Sequence, residues 1–335
     1  MSAAALPPRP RPDGSVRPGP FLLRKPTRPL GAEPLPVERG LGTSYDTAWA
    51  RRYPVRLARA MLLDDVARPL LRASCAPTVF GLDHLEPLEL PVILAANHSS
   101  HLDTALLLSC LPTRIRHHAV VAAAADYFFD RRLKATAWAF ALGAIPMERT
   151  RVNRRSADLA AGLIEEGWSL VIFPEGGRTP DGWGQEFKGG AAYLAKRCLV
   201  PVVPVHIRGT RAILAKGSST LRPGPTEVRF GDPLWPEADE DARRFAARIE
   251  RAVALLADEA ETDWWSARRR AASGSTPPFR GPEASPWRRS WSLPTSADPT
   301  PRRQRRAATE PDESPAPRRW RAKRSPASWP ERQGD

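Results

Sequence analysis

Residues 92–108 read VILAANHSSHLDTALLL and hold the two side chains best suited to acid–base chemistry, His98 and Asp103. A buried-type apolar run ends at Asn97 and His98, and a helical pattern resumes near Leu102. His98 is therefore expected on the turn beyond a strand. Asp103, five residues later, falls in the first helical turn, from which a carboxylate can reach back to one imidazole nitrogen. Such a contact fixes the tautomer and leaves the other nitrogen free to take a proton. The pair resembles a serine-hydrolase triad without its serine, so the nucleophile would come from the substrate. Ser100 and Asp103 also fit a capping box, with Ser100 capping the helix and Asp103 returning to the first amide. His98 fits a hydrogen-bonded histidine at a strand end. From the turn alone these readings stay open. A metal site on His98 and His101 lacks a third ligand at convincing spacing.

Arg149 and Arg178 each follow a β-prone run, so both could point into one crevice, and guanidinium forks suit a phosphate dianion. Gly176 and Gly177 leave backbone amides accessible to an anion. A tight turn carrying two solvated arginines is the plainer alternative. Glu175 could bind an acceptor hydroxyl or pair with an arginine.

The elements that must position these residues alternate in type. Strand candidates lie at 78–82, 91–96, 119–122, 144–147, 169–173, 202–207 and 226–230, and helix candidates at 102–111, 127–142, 154–166 and 189–198. Strands apolar on both faces and separated by helices imply a three-layer α/β sandwich, its largely parallel central sheet covered by helices on both faces. In such sheets ligands bind beyond the carboxyl ends of the strands, where His98 is placed. Pro146 cannot donate to a ladder, which suggests an edge strand or a bulge. A charged helix over about 237–257 closes the domain. Ahead of the sheet, Val55, Ala58, Leu62, Val66 and Leu70 recur at helical spacing with Arg56, Arg59 and Arg68 between them. This amphipathic helix packs on its own core or lies at an anionic membrane surface.

Asn97-His98, four residues, then Asp103 resembles the first signature block of the glycerophospholipid acyltransferase family, which includes the 1-acylglycerol-3-phosphate acyltransferases. Three further blocks follow in the family's order. Residues 143–149, ending in Arg149, resemble the second, Phe173-Pro174-Glu175-Gly176-Gly177-Arg178-Thr179 the third, and Val202-Val203-Pro204-Val205 the fourth. Lys188-Gly189-Gly190-Ala191-Ala192, between the last two, also fits. The similarity covers about 79–230. It implies His98 and Asp103 as the catalytic pair, with Arg149, Glu175, Gly176 and Arg178 binding the acceptor. It further implies transfer of a fatty acyl group from acyl-CoA or an acyl carrier protein to a lysophospholipid hydroxyl, with 1-acylglycerol 3-phosphate the default acceptor. No cofactor or metal is required. Gly177 stands where the third block usually has Thr or Ser, which puts the acceptor's identity in question. An acyl-thioester hydrolase would use water in place of the acceptor.

The net charge of +14 belongs to the ends of the chain. Before Tyr45 there are seven basic residues against three acidic, and from Arg268 onward sixteen against seven, which leaves +1 for the middle. Residues 1–44, rich in Pro and Arg, and 268–335, rich in Arg, Pro and Trp, offer too few aliphatics to bury and are expected to be disordered. The acyltransferase domain is then 45–267. Arginines interleaved with Trp264, Trp265, Trp287, Trp291, Trp320 and Trp329 suit an anionic membrane surface, and also single-stranded nucleic acid. A protein that only binds membrane or nucleic acid would have no use for the four ordered blocks. Cys75, Cys110 and Cys198 are an odd number set among apolar neighbours, which points to reduced thiols and the cytosol. Residues 1–30 lack a signal-peptide core, and no run of about 20 apolar residues is present to span a bilayer. The expected location is cytoplasmic, peripheral to the inner face of the cell membrane. Oligomeric state is left open.

Overall fold

The computed structural model describes residues 42–148, 154–214 and 220–282. Seven strands form one sheet: β1 (Pro77–Phe80), β2 (Ile93–Ala96), β3 (Ala119–Ala124), β4 (Ala144–Met147), β5 (Ser169–Ile172), β6 (Val202–Arg208) and β7 (Thr226–Phe230). Their order is β1-β7-β6-β2-β5-β3-β4, and every pairing is parallel except β6 with β7. Pro146 lies on the edge strand β4, where its missing N–H costs no ladder bond.

Alternation along β2 decides both faces. Ile93 and Ala95 join a cluster with Ala160, Ile164, Leu194, Phe245, Ile249 and Val253. Val92, Leu94 and Ala96 face the other way, onto Leu71, Cys75, Leu106 and Leu107. The β2 residues and Val92 just before them are all fully buried, as expected for a central parallel strand. The first face is covered by helices Arg154–Glu165, Gly190–Cys198 and Ala242–Glu261, the second by Leu102–Cys110 and Arg68–Cys75. The helix following β2 and the helix following the adjacent β5 thus leave to opposite faces. Their divergence opens a crevice at the carboxyl ends of these two strands.

Several expectations are revised. The stretch 127–142 is two helices, Ala125–Phe128 and Arg132–Leu142, because fully buried Phe129 anchors a break between them. The closing helix starts at Ala242, where Asp241 caps it by accepting from Arg244 N at 2.7 Å, and runs on to Glu261. The expected domain boundary stands at 267. Helix Trp264–Ala272 crosses that boundary, with Ala267 buried and Arg270 paired to Asp258, and residues 279–281 pack further on. Aliphatic content misses this segment because aromatic and charged contacts hold it. At the other end Gly42–Ser44 forms a short turn whose Gly42 N donates to Phe129 O. The rest of both proposed tails lies outside the described residues.

The amphipathic segment also differs. It is built as Tyr53–Met61, a π-helical turn Leu62–Ala67, and Arg68–Cys75. Leu63, Leu71, Cys75 and Arg59 face inward, Arg59 donating to Ala50 O at 2.6 Å. Tyr53, Leu57, Met61, Val66 and Leu70 are exposed at 45–74%. Four-residue spacing holds this stripe on one face, and the wider π turn absorbs the five-residue step from Met61 to Val66. A uniform 3.6-residue period put Val66 and Leu70 on one face with Val55, Ala58 and Leu62, whereas the π turn sets them with Tyr53, Leu57 and Met61.

Candidate active site

The ladder between β2 and β6 is carried one residue past the strand by a side chain. Asn97 Nδ2 donates to Ile207 O at 2.9 Å, and Ile207 N donates to Asn97 Oδ1 at 2.7 Å. The backbone at His98 is thereby held at the rim of the sheet. His98 N donates to Glu175 Oε1 (2.8 Å), and His98 O accepts from Thr179 N (2.9 Å). The imidazole stacks on Phe173 with centroids 4.2 Å apart. Its Nδ1 lies 2.9 Å from Asp103 Oδ2. A carboxylate can only accept here, so Nδ1 carries the proton and Nε2 is left as the acceptor.

Asp103 performs both roles that the turn left open. Its Oδ2 accepts from Ser99 N at 2.7 Å and Ser100 N at 2.8 Å as well as from His98. Its Oδ1 accepts from the Thr210 hydroxyl, which also lies 3.0 Å from Ser99 Oγ. Ser100 Oγ accepts from Leu102 N at 3.3 Å and donates to Leu214 O at 2.8 Å. With Asp103 fully buried, these bonds compensate its lost hydration. Capping and imidazole orientation share one carboxylate.

Glu175 was read as meeting an acceptor hydroxyl or an arginine. Its carboxyl oxygens accept from backbone: Oε1 takes His98 N and Oε2 takes Gln185 N at 3.0 Å, with the residue 3% exposed. Burial pushes its pKa up to about 8 against the two amide donors, which favour the charged form. Glu175 ties the histidine turn to the loop after β5.

His98 opens onto a cavity of about 860 Å³ whose walls include Val121, Ala123, Trp138, Ile172 and Leu194. Beside it lies a polar recess of about 400 Å³ lined by Glu175, Gly176, Gly177, Arg178, Gln185, Glu186 and Lys188. Gly176, Gly177, Arg178, Glu186 and Lys188 border both spaces. The Lys188 side chain lies against Gly176, where a Cβ would come within 2.6 Å of Nζ and where φ is +72°. The left-handed φ favours glycine there, and a Cβ would push the lysine end aside. His101 also lines the cavity, stacked on Tyr127 at 5.6 Å; burial, then Arg178, holds its pKa down to about 4. Among the described residues no group of three or more His, Cys, Asp or Glu could hold a metal. His98, Asp103, Glu175, Gly176 and Arg178 thus gather in one crevice, while Arg149 lies outside the described residues. Thr210 was missed; it sits 107 residues from Asp103 in sequence, in no block. Lys188 was noted within a block but given no role.

A family model described as "Acyltransferase" matches residues 77–208, which span β1 to β6 and every residue of the His98 turn. Over that segment the chain is similar to the acyltransferase family. Among similar proteins, a 1-acyl-sn-glycerol-3-phosphate acyltransferase of Chlamydomonas reinhardtii is 31% identical over 186 residues, 52% of this chain and 53% of that protein. The chloroplastic BAT2 of the same name from Brassica napus is 30% identical over 164 residues, covering 46% and 44%. The match spans about half the length of these two relatives. The fold is shared with the crystal structure of the 1-acyl-sn-glycerophosphate (LPA) acyltransferase PlsC from Thermotoga maritima. That structure has a TM-score of 0.50 and 24% identity, over 65% of this chain and 84% of that one. The matched segment thus coincides with the sheet whose crevice holds His98.

Proposed function

We propose that this acyltransferase domain moves a fatty acyl group from a thioester to the hydroxyl of a lysophospholipid, 1-acylglycerol 3-phosphate first among acceptors. One observation carries the reading: His98, held by Asp103, faces an apolar chamber that shares a wall with a polar, glycine-lined recess where Arg178 and Lys188 stand beside Glu175 and Glu186. The recess takes the acceptor's phosphate on Arg178, Lys188 and the Gly176–Gly177 backbone. The chamber takes hydrocarbon. His98 Nε2 removes the proton as the acceptor oxygen attacks the thioester carbonyl. Collapse of the tetrahedral intermediate re-forms the carbonyl and expels the thiolate, which receives that proton from the imidazolium. Asp103 stabilises the imidazolium in between. Arg149, by family resemblance, adds a second guanidinium to the phosphate. Acyl-CoA and acyl carrier protein both present the required thioester.

No helix among the described residues is long and apolar enough to cross a membrane. The exposed stripe Tyr53, Leu57, Met61, Val66 and Leu70, with exposed Arg52 and Arg72 near its ends, suits peripheral docking to the anionic inner face of the cell membrane. The test is purified protein with labelled acyl-CoA and a panel of acceptors, separated by thin-layer chromatography. Lysophosphatidic acid is expected to be acylated and monoacylglycerol, which lacks the phosphate, not. Equal use of both would remove the phosphate recess from the account, and free fatty acid formed without acceptor would make the protein a hydrolase.

A further inference from the structure

The loop between β5 and helix Gly190–Cys198 builds one wall of the recess, yet its sequence gives it little reason to be ordered. Residues 181–189 include Gly182, Gly184 and Gly189, and glycine loses the most backbone entropy on folding. Order comes from the far end of the described chain. The Phe279 ring lies on Gly184, where a Cβ would stand 1.9 Å from Cε1, and the Trp183 ring lies on Gly281, where a Cβ would stand 2.2 Å from Cδ2. Each segment thus offers a glycine to the other's aromatic ring. Gly184 N donates to Phe279 O at 3.2 Å, and Phe279 meets Phe187 edge-on at 5.6 Å. Arg280 Nε and Nη2 donate to Glu250 at 2.8 and 3.0 Å, and the same carboxylate accepts Phe187 N at 3.0 Å. Arg280 Nη1 lies 3.7 Å from Glu186. The loop is gripped between residues 279–281 and helix Ala242–Glu261.

What the loop does next matters for the site. Gln185 N reaches Glu175, Gln185 Nε2 donates to Gly177 O at 3.3 Å, and Lys188 N donates to Pro174 O at 2.9 Å. Phe187 lines the apolar chamber. We infer that residues 279–281, outside the matched family segment, form a strap that positions the phosphate-binding recess, with Phe279 as its positioning residue. The inference rests on the proposed reading of the recess as the acceptor's phosphate site. Phe279 touches no reacting atom; it acts through the 183–187 loop on Gly177, Glu175 and Lys188. Small displacements of a positioning group can cost up to about a hundredfold, so losing one ring contact that acts through the loop should cost roughly tenfold.

The test uses the full chain with Phe279→Ala and, as conservative rescue, Phe279→Leu. Four quantities are read: KM for lysophosphatidic acid, KM for acyl-CoA, kcat, and the calorimetric Kd for sn-glycerol 3-phosphate, which needs no turnover. Phe279→Ala should raise the acceptor KM and the glycerol 3-phosphate Kd by about tenfold while the acyl-CoA KM and kcat stay within about threefold, and Phe279→Leu should recover most of the difference. Acceptor KM and Kd unchanged alongside a lowered Tm would make the strap purely structural and overturn the inference. Equal changes in both KM values would overturn it as well. If the wild-type protein binds glycerol 3-phosphate but transfers no acyl group, the proposed activity fails while the effect on Kd still decides the strap. A wild-type protein that binds no glycerol 3-phosphate overturns both.

Discussion

Replacing Asp103 by Asn separates the two roles that this buried carboxylate combines. With the amide oxygen at the Oδ2 position, Ser99 N, Ser100 N and His98 Nδ1 keep their acceptor. The amide NH₂ then faces Thr210 Oγ1, which can accept and turn its own proton toward Ser99 Oγ, 3.0 Å away. Every buried polar group keeps a partner, so the fold should lose no more than about 1 kcal/mol. What vanishes is the negative charge that stabilises the imidazolium. General-base assistance typically contributes about 10²–10⁴ in rate. A fall of about 10³ in kcat/KM, equivalent to about 4 kcal/mol, is therefore expected. Asp103→Ala is a poorer probe: it removes the acceptor from two amides and the imidazole N–H at roughly 1–3 kcal/mol each, a large part of a typical domain's stability of about 5–15 kcal/mol.

The assay is initial-rate transfer of labelled acyl-CoA to lysophosphatidic acid, with Tm recorded for each variant. Asp103→Asn at wild-type Tm and within about threefold of wild-type kcat/KM would leave Asp103 as a cap alone and refute the role of its charge.

Thr210→Val, which keeps shape but removes the donor to Asp103 Oδ1, should lower kcat/KM by about tenfold, with Thr210→Ser near wild type; equal losses in both would point to packing rather than the hydroxyl. Glu175 has its pKa raised by burial to about 8, above the carboxyl value of about 4.5. The folded state therefore holds a proton that the unfolded chain releases, and stability is fully present below pH 4.5 and lost as pH rises toward 8. Urea unfolding of Glu175→Gln should show a flatter decline over that window, the difference approaching at most about 1.4 kcal/mol per pH unit; parallel curves would remove Glu175 as the source. Leu57→Glu with Met61→Glu should reduce sedimentation with anionic liposomes by about tenfold or more while sparing Tm, and undiminished sedimentation would discard the stripe as the docking face.

The sheet was legible because its strands are apolar on both faces and short, so alternation with helical patterns located all seven within two residues at either end. Pro146 even announced its edge position through the donor it lacks. The stripe on Tyr53–Cys75 was not legible in the same way, since a π turn shifts the phase and no propensity marks it. In the site, the local turn made a His98–Asp103 contact one of two open readings, beside a capping box, and only the family resemblance favoured it. Glu175 and Thr210 act across 77 and 107 residues, and only the closed sheet brings them to the histidine turn. The strap fails a composition test for the same reason: Phe279 and Arg280 sit among prolines and serines, and their partners Gly184 and Glu250 are distant in sequence.

The most direct test of the central claim is the fate of labelled acyl-CoA with wild-type protein and with His98→Ala, each with and without lysophosphatidic acid. Wild type should give phosphatidic acid only when acceptor is present, and His98→Ala, folded with unchanged Tm, should give at least about a hundredfold less. Phosphatidic acid formed at comparable rates by His98→Ala would show that the proton is taken elsewhere, and the reading of this crevice would fall.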